Sequence, residues 1–548
     1  MKRLSIKFLL LSIIVLFVSC VENSLVDDEI NQEKIINNSN QSNKIGSDKS
    51  LEHVQELLSK SFLPWWQAIH VNGNSFNPQV MADAATSSWG NYGMRELSSE
   101  PRTEFDNTLE NKYADYPSQV IWNLYSTISA MVEVNTYIIL DGNKIVNDSL
   151  TTRAKAFSSF LLGISYGSLA TIFDKALFFD EKTDFSVQLE MKNYSEIHDI
   201  SIGYLNKVIA ITDTANFGIP LEWFKIDNYT SDSLAALTHS FIARYKSSIG
   251  RTPTERNNVN WVDVNSHAEK GITFAPMGDG EYWWSRTQYY AGVSASWGRA
   301  DYKLIGPSDK SSGYKDWLET PVADRAAFSI DTDDKRITGE LDSDGKQTQG
   351  LYAKNEYRTR LIASRGTYHQ TNYVFNRTRD YAVDAGLQGP MHDMTQSELD
   401  LLQAEAALRA GDASTAATLI NKTRLTNGGL AAATATDDIG SSTDQPNALT
   451  TGTLWAKYKY EAILENCFMH PYSVYTLKRG WGDLVKGTLT MFPTPASMLE
   501  YMLLDYYTFG GVDNAGKPGT AGKTKFIFGE PIIKPRLNRF QYKIDKLK

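Results

Sequence analysis

The stretch that most constrains the fold is residues 395–429, which has the pattern of two short helices joined by a tight turn. Thr395 and Glu398 have the spacing of a capping box, in which each side chain satisfies a free backbone N–H at a helix start. Gly411 suits the left-handed residue that ends a helix, and Asp412 suits the cap of the next one. The expected inner stripe comprises Leu399, Leu402, Ala406, Ala416, Leu419, Ile420 and Thr423. Such a hairpin cannot bury its apolar faces alone, so we expect it to stack on similar hairpins.

Helical periodicity recurs along most of the chain. Apolar residues at three- and four-residue spacings predict helices over 51–71, 116–141, 151–179, 193–212, 231–250, 253–271 and 450–470. With the 395–429 hairpin, these segments make about four helical pairs. The sequence therefore predicts a mainly α protein, a tetratricopeptide-like superhelix of helical pairs with long loop-rich insertions. Within the stack, we expect Glu405, Asn421 and Arg424 to be internal polar partners.

The same pattern predicts how the chain is divided. We expect a single domain over 51–548, with a helical framework over 51–271 and 395–505, a loop-rich insertion over 272–394 and an irregular tail over 506–548. Another long loop, over 84–105, falls between the first two predicted helices. Long loops inside a compact protein are usually functional or disordered, and the aromatic content of the insertion argues against disorder. We expect these two loops to lie on one face.

Several motifs resemble those of one known family. The run AEAALRAGD followed by AATLINKTR resembles the signature hairpin of the SusD/RagB family. Phe492-Pro-Thr-Pro495 is similar to that family's proline motif before a final helix, and Asp334-Lys-Arg336 is similar to its Asp-Pro-Arg motif. The resemblance covers residues 1–30, the framework and the last third of the chain. It implies a nutrient-binding, non-catalytic lipoprotein without a cofactor, which passes an oligosaccharide or similar nutrient to a TonB-dependent SusC-like transporter.

The first twenty residues predict export. Lys2, Arg3 and Lys7 precede an apolar stretch over 8–18 that is too short to span a bilayer. The segment ending at Cys20 resembles a lipobox, which implies a lipoprotein signal peptide over 1–20 and diacylation of Cys20. The alternative is a chance cysteine beside an ordinary cleavage site.

Cysteine content and the next segment agree with a lipid anchor. The chain has 2 cysteines, so lipidation of Cys20 leaves Cys467 unpaired, and we expect Cys467 to be a small apolar core residue. Residues 21–50 are polar and predict a flexible tether. Its acidic run, Asp27-Asp28-Glu29, resembles the signal that sends such lipoproteins to the outer face of the outer membrane. The alternative is ordinary tether charge.

Composition excludes two classes of protein. The net charge of −9 and the pI near 5.5 lack the positive charge that phosphate binding needs, so we expect no nucleic-acid partner. Mean hydropathy of −0.35 excludes a polytopic membrane protein. The 28 Tyr and 12 Trp suit surfaces that are partly apolar and partly wet, which is typical of recognition sites.

Aromatic clusters in the two long loops are the candidate ligand site. A sugar ring presents flat C–H faces bordered by hydroxyls, so its sites combine an aromatic platform with polar groups at the edges. The predicted ligand-binding residues are Trp89, Asn91, Tyr92, Arg95, Trp283, Trp284, Tyr289 and Trp297. The alternative is that these aromatic side chains hold the long loops against the helices.

Two other functions compete with glycan binding. Asp331, Asp333, Asp334, Asp342 and Asp344 offer the paired carboxylates of a glycoside hydrolase, although a solvated loop is the simpler interpretation. The other alternative is a pure protein-interaction scaffold. The 8 histidines show no metal-binding spacing, and no catalytic or metal site is predicted. Arg358, Arg377 and Arg379 suit either an acidic ligand or an internal carboxylate network.

Overall fold

Long helices form the framework, and the side chains that start them are visible in the sequence. In the computed structural model they are α1 Leu51–Lys60, α2 Asp115–Asn135, α3 Asp148–Ile172, α4 Tyr194–Thr212, α5 Ser231–Ser248, α6 Trp261–Glu269, α7 Gln396–Ala410, α8 Ala413–Arg424, α9 Leu454–Asn466 and α10 Ser473–Trp481. The side chains that accept a first-turn N–H are Ser50, Asn147, Thr230, Asn260, Thr395, Asp412 and Thr453.

The structure describes residues 50–89, 91–111, 113, 115–187, 189–292, 298–339, 343, 349–355, 371–512 and 520–521. These residues lie in the compact unit Ser50–Pro531. The predicted signal peptide, Cys20 and the tether up to residue 49 lie outside them. Within the described part, no helix has the length and apolar character needed to cross a membrane.

Successive helices of the framework pack against one another. Helix α2 packs on α3, α3 on α4, α4 on α5, α5 on α6, α6 on α7, and α8 and α9 pack on α7 and on each other. This serial packing is the arrangement of stacked helical pairs. The predicted mainly α, tetratricopeptide-like architecture is therefore confirmed.

The hairpin over 395–429 forms as the sequence predicts, with one difference. Thr395 Oγ1 accepts from Glu398 N (3.1 Å), Gly411 is left-handed with φ of 76°, and Asp412 Oδ1 accepts from Thr415 N (3.0 Å). The Glu398 carboxylate, however, accepts from Arg244 on α5 at 2.7 Å. Glu398 therefore joins two helices as well as belonging to the cap.

Buried charges in the hairpin are paired. Glu405 is fully buried and accepts from Arg256 (2.5 Å), Arg409 (2.8 Å) and the Tyr458 hydroxyl (2.7 Å). Burial alone raises the pKa of Glu405, but Arg256 and its other donors outweigh burial and lower the pKa to about 2. Asn421 and Arg424 donate to backbone carbonyls, so all three predicted polar partners bond within the fold.

A second buried network joins the insertion to α9. Arg336 is 0% exposed and donates to Asp334 (2.7 Å), Glu461 (2.6 Å) and Glu465 (2.8 Å). Arg377 Nη1 lies 3.6 Å from Glu465 Oε2, as the internal carboxylate-network interpretation expects, and also donates to the Glu465 carbonyl at 2.8 Å. Arg358 lies outside the described residues. Because breaking a buried ion pair leaves a charge without compensation, this network ties the insertion to the framework.

Two further arginines are buried against helix ends. Arg251 donates to the carbonyls of Ala170 and Phe173 at the end of α3. Arg479 donates to the carbonyls of Thr171, Ser248 and Thr490 at 2.8–2.9 Å. The last carbonyls of a helix lack intrahelical partners and carry partial negative charge, so they stabilise these cations.

Three predicted helices have different bounds. The segment 253–271 divides into Pro253–Asn257 and α6, because Asn260 accepts from Asp263 N (3.2 Å) and starts a new helix. Helix α3 ends at Ile172 because Phe173 is extended, and Lys175–Leu177 then pairs with Met191–Asn193. The segment 51–71 divides into α1, Phe62–Trp66 and the π-helix Gln67–Val71.

Short helices and strand pairs occur elsewhere in the described chain, whereas residues 425–453 contain neither. The remaining short helices are Gly73–Phe76, Asn77–Met81, Asn91–Gly93, Met94–Ser98, Thr136–Leu140, Leu221–Phe224, Arg286–Gly292, Tyr302–Ile305, Gly306–Ser308, Gly313–Glu319, Val322–Asp324, Asp380–Asp384 and Ala496–Tyr501. The other antiparallel strand pairs are Ala85–Thr86 with Arg299–Ala300, Met277–Asp279 with Gln388–Pro390, Gly218–Ile219 with Tyr229–Thr230, Ala353–Asn355 with Tyr373–Phe375, and Tyr507–Thr508 with Thr520–Ala521. The insertion therefore contains short helices that its weak periodicity did not predict.

Candidate functional site

A cleft of about 470 Å³ opens beside the first predicted loop. That volume lies in the range of small-molecule sites in proteins. One side is the chain between Tyr92 and Tyr113, and the other includes the segment Gly487 to Leu489. The lining side chains with polar or aromatic groups are Asn77, Tyr92, Glu96, Arg102, Thr103, Glu104, Phe105, Asp106, Glu110, Asn111, Tyr113 and Thr488.

The chain reverses direction where it enters the cleft. Asn77 Nδ2 donates to the carbonyl of Tyr92 at 2.7 Å, and Tyr92 itself has φ of 56°. Gly93 follows with φ of 77°, a left-handed conformation that glycine adopts without steric cost. The next residues form the helix Met94–Ser98, which places Glu96 and Leu97 in the cleft lining.

Arg102 and Asn107 fix the extended part of this loop. Arg102 is 3% exposed and donates to Asp83 (2.8 Å), Thr488 (2.9 Å) and a backbone carbonyl. Asn107 donates to the carbonyls of Thr494 and Tyr507 at 3.0 and 2.8 Å. Both side chains use their donors within the protein, so they position the cleft and leave ligand contact to their neighbours.

The groups that the cleft presents to solvent are acidic and aromatic. Glu96, Glu104, Asp106 and Glu110 are exposed, and Phe105 and Tyr113 are half-buried. Carboxylates accept hydrogen bonds from hydroxyls, and half-buried rings offer an apolar face. This combination suits a polyhydroxylated ligand with apolar ring faces.

The residues predicted in the first loop lie in or beside the cleft. Tyr92 lines it but is only 5% exposed, so its ring supports the lining. Arg95 is half-exposed and donates to Glu96 at 2.9 Å. Trp89 is half-buried, and its carbonyl accepts from Arg95 N (3.0 Å). Asn91 starts the turn Asn91–Gly93, and its side chain lies outside the described part of the structure.

The two tryptophans predicted in the second loop are in the core, which corrects their expected role as an exposed platform. Trp283 is 4% exposed and its ring lies 5.4 Å from that of Phe62, and Trp284 is 7% exposed. Asp279 Oδ1 accepts from the backbone N–H of Trp283 (2.9 Å), which turns the chain inward. For these two residues, the structure agrees with the alternative that aromatic side chains hold the loop against the helices.

Tyr289 and Trp297 complete the predicted set. Tyr289 is half-buried, with its ring edge-on to Trp284 at 6.1 Å. Trp297 lies outside the described residues.

The two predicted loops meet. Ala85–Thr86 pairs with Arg299–Ala300, and Arg286 Nη1 donates to the Tyr92 hydroxyl at 3.4 Å. The guanidinium of Arg286 also lies 5.2 Å from the centre of the Tyr92 ring. Arg286 of the second loop is itself buried and contacts Tyr92, which lines the cleft. The second loop therefore supports the wall of the cleft.

Sequence reasoning missed the acidic side of the cleft. Residues 103–117 read TEFDNTLENKYADYP, in which carboxylates alternate with Asn and aromatic residues from the end of the predicted loop onward. That mixture of carboxylates, amides and aromatic residues was the sequence feature that could have indicated this side of the cleft. The segment Gly487 to Leu489 gave none, because only the tertiary fold brings it to this place.

One group of possible metal ligands occurs among the described residues: His70, Asp393 and His470, whose ligand atoms lie within 4.8 Å of one another. Burial lowers the pKa of both histidines, so they are neutral. Tyr472 N donates to His470 Nδ1 (3.2 Å), which leaves the proton on Nε2, and Arg244 pairs with Asp393 at 2.8 Å. A protonated nitrogen and an adjacent guanidinium do not fit a metal ion.

The acidic run of the insertion lies apart from the cleft lining. Asp331 and Asp333 pair with Lys310 at 3.4 and 2.7 Å on the surface, whereas Asp334 is buried against Arg336. Asp342 and Asp344 lie outside the described residues. The described members of the run therefore do not face one another across the cleft.

The chain matches no family model and no curated protein sequence. Its fold is similar to solved structures of SusD superfamily proteins. One, from Bacteroides vulgatus, has 12% identity and a TM-score of 0.49, covering 80% of this chain and 89% of that one. Surface glycan-binding protein A from Bacteroides uniformis has 13% identity and a TM-score of 0.45, covering 77% and 86%. A structure solved with a xylogluco-oligosaccharide has 11% identity and a TM-score of 0.46, covering 90% and 98%.

At such identities and TM-scores, the likeness assigns no ligand and no residue of this chain. The case for a function rests on the cleft and on the chain's own motifs.

Proposed function

We propose that this chain is a surface-exposed glycan-binding lipoprotein, which captures an oligosaccharide in the cleft and passes it to a TonB-dependent outer-membrane transporter. The observation that carries the proposal is the cleft of about 470 Å³, with exposed carboxylates beside half-buried aromatic rings. Rigid internal contacts of Arg102 and Asn107 support it, because a preformed site loses less entropy on binding.

The binding surface extends to the half-buried members of the predicted set. Among the described side chains of that set, Trp89, Arg95 and Tyr289 retain partial solvent exposure. In the proposed mechanism these groups bind and release the glycan without breaking a bond. The proposed function therefore consists of binding and release of the glycan, without a chemical reaction.

Glycan-array screening followed by calorimetry tests binding. Tyr113→Ala should weaken binding of the best array ligand by about tenfold, because an aromatic contact of this kind contributes roughly 1–2 kcal/mol. Phe185→Ala is the matched control, since Phe185 is 46% exposed and does not line the cleft. Equal affinity for both variants and the wild type would place the site elsewhere.

The anchor and the transporter rest on the sequence motifs. Labelled palmitate should enter the wild type and not Cys20→Ala, and mild-detergent extracts should yield the chain together with a transporter of the TonB-dependent class. A solitary monomer from native membranes would count against the hand-over. Shorter products after incubation with the best array ligand would favour the hydrolase alternative.

A further inference from the structure

Two histidines from neighbouring helices of the framework face each other. His239 lies on α5 and His267 on α6, their Nδ1 atoms are 2.7 Å apart, and their ring centres are 4.8 Å apart. Both side chains are half-buried. The two positions are 28 residues apart in sequence, so the packing of α5 on α6 brings the imidazoles together without any local spacing motif.

Both rings are in the neutral form, which is the form that binds metal ions. Burial and the neighbouring His267 imidazole lower the pKa of His239 to about 4, and burial lowers the pKa of His267. Two neutral imidazoles at this separation share one hydrogen bond, in which one Nδ1–H donates to the lone pair of the other Nδ1. The pair therefore already directs at least one free lone pair toward the space between the rings.

The surroundings let both Nδ1 atoms serve as ligands. Asp263 Oδ1 lies 3.5 Å from His267 Nε2, which favours a proton on Nε2 and leaves the lone pair on Nδ1. His239 Nε2 has no hydrogen-bond partner among the residues with described positions, so the His239 proton can move from Nδ1 to Nε2. His470 differs, because its Nδ1 accepts from Tyr472 N and its proton stays on Nε2.

The neighbouring lysines leave room for a cation. Lys246 Nζ pairs with Asp263 Oδ2 at 2.5 Å, so the carboxylate beside the pair compensates its charge. Lys270 is exposed, and solvent screens its charge. The Asp213 carboxylate acts on the pKa of His239 in the direction opposite to Lys270.

We propose that His239 and His267 bind a divalent transition-metal ion of the zinc, nickel or copper class through their Nδ1 atoms, with water in the remaining positions. Imidazole is a preferred ligand of these ions. Zinc–nitrogen bonds of about 2.0–2.1 Å in a tetrahedral arrangement place the two nitrogens about 3.3 Å apart, so the rings separate slightly when the ion replaces the shared hydrogen. The ion joins α5 to α6, and this site is independent of the proposed glycan cleft.

Titration calorimetry of the full chain in detergent with Zn²⁺ tests the site. His239→Gln and His267→Gln should each weaken Zn²⁺ binding by at least about tenfold, because a single imidazole cannot chelate the ion. His198→Gln is the matched control and should keep the wild-type affinity. His198 is also half-buried and lies 3.3 Å from the Asp199 carboxylate, but in the described part of the chain it faces no second imidazole.

Two further measurements report on the ligands and do not depend on how well a variant folds. Pulsed electron paramagnetic resonance of Cu²⁺ bound to the wild type should show the remote nitrogens of two imidazoles. Cu²⁺ should bind more tightly than Zn²⁺, whereas Mg²⁺ and Ca²⁺, which prefer oxygen ligands, should not bind at this pair. Zn²⁺ should also raise the Tm of the wild type, because an ion held by the folded chain stabilises it.

Every outcome decides the proposal. It is supported if Zn²⁺ binding falls in both histidine variants and persists in His198→Gln. Equal Zn²⁺ affinity in the wild type and both variants, or a Cu²⁺ signal from a single imidazole, would show that the two rings form a hydrogen-bonded pair only. Absence of Zn²⁺ binding to the wild type would overturn the site as well, and none of these results bears on glycan binding.

Discussion

The buried networks of the helical stack and the cleft differ in how their charged side chains are placed. In the buried networks, Arg336 of the insertion meets three buried carboxylates and Glu405 of the framework meets two arginines. Around the cleft, the carboxylates among the described residues are exposed to solvent. Charge in the buried networks is satisfied within the protein, whereas these carboxylates lie at the surface. The difference separates residues that hold the stack together from residues that line the cleft.

Removing Arg336, the cation at the centre of the buried network on α9, should have the largest effect on stability. Arg336→Met leaves three carboxylates in the core without their shared partner and should cost about 3–5 kcal/mol of unfolding free energy. The free energy of unfolding, obtained by urea titration of the variant and the wild type, measures this cost. Lys310→Met removes an exposed cation that also pairs with two acids and should cost less than about 1 kcal/mol. Similar costs for both variants would erase the distinction between buried and exposed charge.

Glu405 should show the next largest effect, and it depends on pH. Because its folded pKa is lowered from 4.5 to about 2, its contribution is present above pH 4.5 and is lost as the pH falls from 4.5 toward 2. Glu405→Gln should therefore cost about 3 kcal/mol at neutral pH and progressively less in acid. Chemical unfolding at several pH values measures the gap. If the difference in unfolding free energy between the wild type and Glu405→Gln does not change with pH, Glu405 acts through packing and not through its charge.

Asn107 should give the smallest change in stability and connects the two regions. Asn107→Ala removes donors to the carbonyls of Thr494 and Tyr507 and should cost about 1–3 kcal/mol. It should also weaken glycan binding, although less than Tyr113→Ala, because it loosens the acidic side of the cleft. Asn265→Ala, which removes an exposed hydrogen bond to Glu269, is the control for the lost amide. Unchanged affinity in Asn107→Ala would mean that the loop keeps its shape without this contact.

The parts of the fold that the sequence predicted depend on local signals. Thr395, Gly411 and Asp412 lie next to the helix ends that they determine, so the hairpin was readable before any tertiary contact was known. The break at Asn260 was missed because a proline at 253 and a continuing apolar period outweighed one side-chain cap. The local pattern allows either one continuous helix or two helices divided at Asn260, and only the tertiary packing decides between them.

The candidate site was only partly predictable for a related reason. The predicted loop over 84–105 contributes lining residues to the cleft, but aromatic residues of the predicted set are found both buried and partly exposed. Trp283 contacts Phe62, more than two hundred positions away in sequence, and nothing near Trp283 indicates that contact. Thr488 joins the cleft through Arg102 in the same long-range manner.

The bond from Arg102 to Thr488 has a consequence for the order of folding. It joins positions separated by 386 residues, and carbonyls at the ends of α3 and α5 likewise lack their donor until Arg479 has been made. A chain that emerges from its N-terminus first can form early helices alone, but it cannot close this cleft until residue 488 has arrived. We therefore expect a copy truncated before that point not to bind a ligand in the cleft, even where its helices are intact.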